Sequence, residues 1–193
     1  MKNTKEIAYT ERLSRLSGTR WKQILDVQRP YRWNLKRLKL GSTLDVGCGI
    51  GRHLSHLPDG SVGVDHNENS IKIAKKNGFT AYTTDEFFKK TIPKNSFNTM
   101  LLAHVLEHMS TKKGRKIIQE YLPYIKKNVV IICPQQKGFS TDETHVNFLT
   151  HSDIEEILRE LGLEVQRSYS FPFPKQFGKV FAHNESIVVA QKP

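Results

Sequence analysis

Cysteine is scarce: the 193-residue chain has two, Cys48 and Cys133, in separate apolar contexts. That excludes a disulfide framework and any zinc site built on paired cysteines, and it points to a reducing compartment. Long hydrophobic runs are missing too. The longest aliphatic stretch, Val129 to Cys133, is far too short to cross a bilayer. The first twenty residues hold no apolar core of a secretory signal, so a cytoplasmic setting is expected. Internal repeats and low-complexity tracts are absent. With 37% apolar and 25% charged residues the composition is that of a soluble globular chain, and its length suits one structural domain.

Charge is present in excess and is unevenly placed. The formal net charge is +11, of which residues 1–40 carry +8. A basic end of this kind attracts acidic small molecules, anionic surfaces or RNA, or simply forms the solvated face of an amphipathic helix. Apolar and aromatic residues interrupt it throughout, so it is no arginine-rich nucleic-acid arm. Ile7, Leu13, Leu16, Trp21, Ile24, Leu25 and Val27 fall roughly on one helical face, with a break near Gly18. A second helix is expected from about Pro30 to the stop at Gly41. Residues 1–40 therefore read as a helical cap on a domain spanning 41–193.

From Thr43 the chain alternates. Strands are predicted at 43–46, 61–65, 80–83, 98–103, 128–133, 164–171 and 185–191. Helices are predicted at 51–57, 69–77, 85–90, 105–108, 112–125 and 152–161. Alternation with short links means a parallel sheet covered on both faces. The final strand follows an irregular aromatic and proline-rich stretch and is expected to run antiparallel. The fold class is α/β, doubly wound, with a mostly parallel seven-stranded sheet.

The chemistry begins at Leu44-Asp45-Val46-Gly47-Cys48-Gly49-Ile50-Gly51, an apolar strand ending in a glycine-rich turn. Glycines so spaced let backbone approach a ligand and turn sharply. The next strand, Val62-Gly63-Val64-Asp65, ends in an acid placed to accept from a ribose diol; a turn or helix-capping role is the alternative. Arg52 stands where the third glycine of a dinucleotide fingerprint would be, which weakens a pyrophosphate reading and with it a nicotinamide dehydrogenase.

The run resembles the cofactor loop of class I S-adenosylmethionine-dependent methyltransferases, and Val105-Leu106-Glu107-His108 after an aliphatic strand is similar to the type-11 small-molecule group. Phe97-Asn98 departs mildly from the Phe-Asp that opens this strand in several members. The resemblance spans about residues 40–193 and implies a Rossmann-like methyltransferase fold with S-adenosylmethionine as cofactor. It implies cofactor contacts from Asp45, Gly47, Cys48, Gly49, Gly51 and Asp65, with His66 and Asn67 at the lip. Asp85, Glu86 and Phe87 fall where the family receives the adenine, although Thr84-Asp85 equally reads as a helix cap. Ala103 and His104 border the methionine part and the acceptor, and Arg32 in the cap is a cation for the cofactor carboxylate.

Two histidines are candidate general bases, since imidazole takes a proton near neutral pH. One is His104. The other is His145, in a His145-Val-Asn-Phe-Leu149-Thr150 run like the family's pre-helix motif. Either equally serves by bonding backbone. His104 and His108 stand four apart, but Glu107 is expected to face elsewhere on their helix, so no metal site is assigned. The expected reaction is methyl transfer to an oxygen or nitrogen of a small, acidic acceptor. RNA is the alternative acceptor, although no D/N-P-P-Y signature follows the fourth strand and Cys133-Pro134 reverses the Pro-Cys order of cytosine-carbon enzymes. A non-catalytic cofactor-binding subunit is the other alternative.

Overall fold

The computed structural model describes residues 29–193, so the predicted helical face from Ile7 to Val27 lies outside the described residues. Two compact units divide the chain, the first running to Ile92 and the second covering Pro93–Pro193.

In the first unit, helix α1 (Arg29–Arg37) buries Asn34 and Leu35. The chain leaves it through left-handed backbone at Lys39 and Gly41 and enters β1 (Thr43–Val46), every residue of which is buried. Strands β2 (Val62–Asp65) and β3 (Ala81–Thr83) complete a parallel ribbon in the order β3-β2-β1, with Val46 opposite Val64 and Asp65 opposite Thr83. Between them, α2 (Glu68–Lys76) is capped by the Asn67 side chain. Helix α3 (Thr84–Lys89) starts in a reciprocal capping box between Thr83 and Glu86. Cys48, Leu54, Ile71, Ala74 and Ala81 form the apolar cluster that the helix and ribbon share.

The helix predicted at 51–57 is not formed; only a 3-10 turn, Leu54–His56, is present. Gly51 holds a φ of +87°, which no right-handed helix accepts, and Leu57 is extended before Pro58, as a residue preceding proline prefers.

The second unit holds β4 (Phe97–Ala103), β5 (Ile125–Pro134), β6 (Glu164–Phe171) and β7 (Glu185–Gln191) in the order β4-β5-β7-β6. Strands β4 and β5 are parallel, and β7 runs antiparallel to both its neighbours, as predicted for the final strand. Met100, Leu101, Leu102 and Val129 to Ile131 are fully buried at its centre, as are Ile118, Ile154 and Leu158 of the flanking helices. Those helices are α4 (Thr111–Tyr121), capped by Ser110, and α6 (His151–Glu160), opened by a capping box of Thr150 and Asp153. One further turn, α5 (Gln136–Phe139), follows β5.

Two predicted helices come out shorter. The one at 112–125 stops at Tyr121 and tightens into a 3-10 turn at Leu122–Tyr124, where Pro123 brings no amide to continue it. The one at 105–108 is a 3-10 turn, Leu106–His108. Among the described residues, no helix is long and apolar enough to cross a membrane.

Candidate active site

The glycine loop of the first unit spends its amides internally. Gly47 and Cys48 both donate to the Val64 carbonyl (2.7 and 3.1 Å), and Gly51 donates to the Cys48 carbonyl at 3.0 Å. Gly49 donates to Asp65 Oδ2 at 2.8 Å. A pyrophosphate cradle needs outward amides and the N-terminus of a following helix. This loop has its amides turned inward and a single 3-10 turn behind it. What it presents to a ligand is backbone free of side chains, with Gly47 and Gly49 at φ of 83° and 54°.

Asp65 sits at the end of β2 and also accepts from the Asn67 amide at 2.8 Å, with His66 Nδ1 3.3 Å away. Its carboxylate is thus fixed in orientation by two backbone donors, each using one lone pair of an oxygen that has another. Asp45 is buried more deeply still, and its Oδ2 has no hydrogen-bond partner. Desolvation, reinforced by the charge of Asp65, raises its pKa to about 7. An orphaned, buried carboxylate oxygen fits a cationic group.

The other predicted cofactor residues of this unit have local partners. Cys48 points its side chain into the core, toward Gly63. Phe87 is fully buried and meets Phe88 edge-on. Glu86 closes the capping box and pairs with Lys75 at 3.0 Å, and Asn67 caps α2 through its side-chain oxygen. Asp85 is exposed in the first turn of α3, His66 is largely exposed beyond β2, and Arg32 is half-buried on α1.

In the second unit, β4 ends at buried Ala103, and His104 follows in left-handed backbone, with φ of 58°. Such backbone in a residue with a side chain is strained and is held by its surroundings. Here the imidazole lies between two carboxylates. Its Nε2 is 2.9 Å from Glu185 Oε1, and its Nδ1 is 3.3 Å from Glu107 Oε1. Burial pulls its pKa down, but bonding to Glu107 and Glu185 outweighs that and raises it to about 10. The two carboxylates therefore favour the imidazolium form of His104.

Glu107 does not face elsewhere, as the sequence suggested. Because His104 leaves the helical path, the two histidines share no helical face, and Glu107 turns inward. It is 1% exposed, with His104 Nδ1 3.3 Å from its Oε1 and the Cys133 thiol bonded to its carboxylate. Burial disfavours its charge, yet His104 holds its pKa below the ordinary carboxylate value. It also raises the thiol pKa of buried Cys133, on which desolvation acts first.

The Glu107 carbonyl accepts from the Val146 and Asn147 amides, at 2.8 and 3.1 Å, and so ties the His145 loop to this turn. The His108 and His145 rings come within 4.8 Å of each other, and His145 stacks on Phe139 at 5.3 Å. Glu107, Glu185 and the His108–His145 pairing escaped sequence reading. Only the Glu107-His108 motif signalled any of them, since Glu185 and His145 arrive from strands and loops far along the chain.

The family model described as a methyltransferase domain, type 11, matches residues 44–133. Residues 44–133 are thus similar to the type-11 methyltransferase domain, and the fold is shared with S-adenosylmethionine-dependent methyltransferases. S-adenosylmethionine is the methyl donor of such domains. A methyltransferase of Thermotoga maritima has the same fold, with 15% identity over 96% of this chain and 98% of that one (TM-score 0.69). Magnesium protoporphyrin IX methyltransferase from Synechocystis, solved with S-adenosylhomocysteine, is 15% identical over 97% and 99% (0.63). A methyltransferase from Archaeoglobus fulgidus is 20% identical over 88% and 99% (0.62). The fold is thus the seven-stranded Rossmann-like methyltransferase sheet with an antiparallel last strand. No curated protein sequence matches the chain.

Proposed function

We propose that this methyltransferase domain binds S-adenosylmethionine through the first unit and transfers its methyl group to an oxygen or nitrogen of a small acceptor. The carrying observation is the Asp45–Asp65 arrangement around a glycine loop whose Gly47, Cys48, Gly49 and Gly51 amides donate internally. Asp65 accepts from the ribose hydroxyls, Asp45 Oδ2 receives the amino group of the methionine end, and Asp85 takes the adenine amino group. Gly47 and Gly49 permit close approach of the ligand. The side chains of Cys48, Glu86, Phe87 and Asn67 support this frame from within.

The cofactor, when bound, supplies a methyl on a sulfonium, already a good leaving group. What remains for the protein is alignment of the acceptor and acceptance of one proton. As the acceptor lone pair forms the new bond to the methyl carbon, the carbon–sulfur bond breaks and sulfur keeps its pair. The acceptor proton passes to His145 Nε2, because His145 Nδ1 donates to the Phe139 carbonyl at 2.9 Å. His104, as an imidazolium, orients Glu107 and Glu185 instead.

The test is incubation of the protein with methyl-labelled S-adenosylmethionine and a panel of small hydroxyl and amine compounds, with total RNA in parallel. Label on a small compound, reduced roughly 100-fold or more in His145→Ala, is the expected outcome for a lost general base. Label on RNA alone would overturn the acceptor class.

A further inference from the structure

We infer that Glu107, His108 and His145 form a site for one divalent first-row transition ion, of which zinc is the type, with an open coordination position. One carboxylate oxygen and one nitrogen from each ring lie within 4.8 Å of one another. Ligand atoms around a tetrahedral zinc stand about 3.4 Å apart, so small side-chain rotations close the set on an ion.

The histidines are prepared as ligands. His108 Nδ1 lies 3.2 Å from the Thr144 carbonyl, and His145 Nδ1 lies 2.9 Å from the Phe139 carbonyl. A carbonyl only accepts, so each Nδ1 carries a hydrogen and Nε2 is the ring nitrogen available to an ion. Thr144 Oγ1 agrees with this: it donates to Asp142 at 2.7 Å and has only acceptor capacity for His108, 3.2 Å away. Metal-bound histidines ordinarily show this arrangement, with the far nitrogen bonded to a backbone carbonyl that fixes the tautomer and raises basicity.

Glu107 is the independent observation. A carboxylate that is 1% exposed, with one long contact to the His104 ring and a weak thiol donor in Cys133, is costly unless more positive charge meets it. His104 stands on the Oε1 side, at 3.3 Å, which leaves Oε2 for the ion. The two imidazoles are partly exposed, so the ion has a route in from solvent and room for a fourth ligand. Two nitrogens, one carboxylate oxygen and an open position suit zinc, manganese, iron or cobalt and not calcium or magnesium.

An ion there would take an oxygen or nitrogen of the acceptor at the open position and lower the pKa of that group. This acceptor role rests on the methyl-transfer reading above: in the ion-free protein His145 Nε2 takes the acceptor proton, and in the ion-bound protein, where His145 is a ligand, that proton leaves to solvent. Ion binding itself does not rest on that reading.

The experiment uses the full chain dialysed against a chelator, then titrated with cobalt(II) chloride by visible absorption and with zinc chloride by calorimetry. One equivalent of cobalt with ligand-field bands of low coordination number is expected, displaced by zinc. His145→Ala, whose side chain is partly exposed, and Glu107→Gln should each weaken binding at least about tenfold, with the fold checked by circular dichroism. S-adenosylhomocysteine affinity, measured on the same chelator-treated protein, reads the cofactor site separately. Absence of a saturable single equivalent in the wild type would overturn the site, as would unchanged binding in a folded His145→Ala protein.

Discussion

At the scale of single residues, two charged groups have been moved from their ordinary behaviour in opposite service. His104 is held as an imidazolium by Glu107 and Glu185, with a folded pKa of about 10 against an ordinary 6.5. A raised histidine stabilises the fold fully below about pH 6.5, and the contribution is lost as pH rises toward 10. His104→Gln should flatten the fall in melting temperature across that window; an unchanged fall would show that the carboxylates do not hold the proton. Asp45, raised to about 7 from 3.8, has the reverse consequence for its charged form. Its ionised carboxylate is disfavoured by folding, so stability declines as pH rises from about 4 to 7. Asp45→Asn is expected to raise the melting temperature at pH 8 while weakening cofactor binding. Loss of both would mean that the carboxylate is a structural anchor. Neither shift was readable from sequence, because each depends on the fold: burial and then Asp65 on the neighbouring strand for Asp45, and Glu107 with Glu185, 81 residues along the chain, for His104.

At the scale of elements, what was legible followed periodicity and caps. Every predicted strand formed within a few residues of its expected bounds, because runs such as Met100–Ala103 and Val129–Cys133 are too apolar to be anything but central strands. The helix after the glycine loop failed for a local reason, the positive φ at Gly51 and the extended residue before Pro58. The turn of the glycine loop and the acid at the end of β2 were legible from the motif, and the structure joins them through Gly49 N–H and Asp65. The stretch after β4 was misread where a helix was assumed, since His104 and Glu107 take their directions from left-handed backbone and a 3-10 turn. One element-scale contact is directly testable. A Cβ on Gly63 would fall 2.6 Å from Cys48 Sγ and 2.7 Å from Leu54 Cδ1. Gly63→Ala should therefore push the loop off β2 and cost about 1–3 kcal/mol in denaturant unfolding; a neutral effect would mean that the loop repacks freely.

At the scale of the whole molecule, the described residues fall in two units, of which the first holds the glycine loop and Asp65 and the second holds His104, Glu107 and His145. The basic excess of the chain, +8 of +11, lies in residues 1–40, and +5 of it in residues 29–40, within the described region. A small acceptor predicts that retention on RNA is weak and disappears by about 200 mM salt, since phosphate contacts alone are strongly salt-sensitive. The central claim is that the inward-bonded glycine loop and Asp65 hold S-adenosylmethionine and no dinucleotide. Calorimetric titration of the purified chain with S-adenosylhomocysteine, alongside NAD, tests it most directly. Saturable binding of the former, weakened roughly tenfold to a hundredfold by Asp65→Ala as for lost hydrogen bonds to a charged group, is the predicted result. Binding of NAD alone would contradict it.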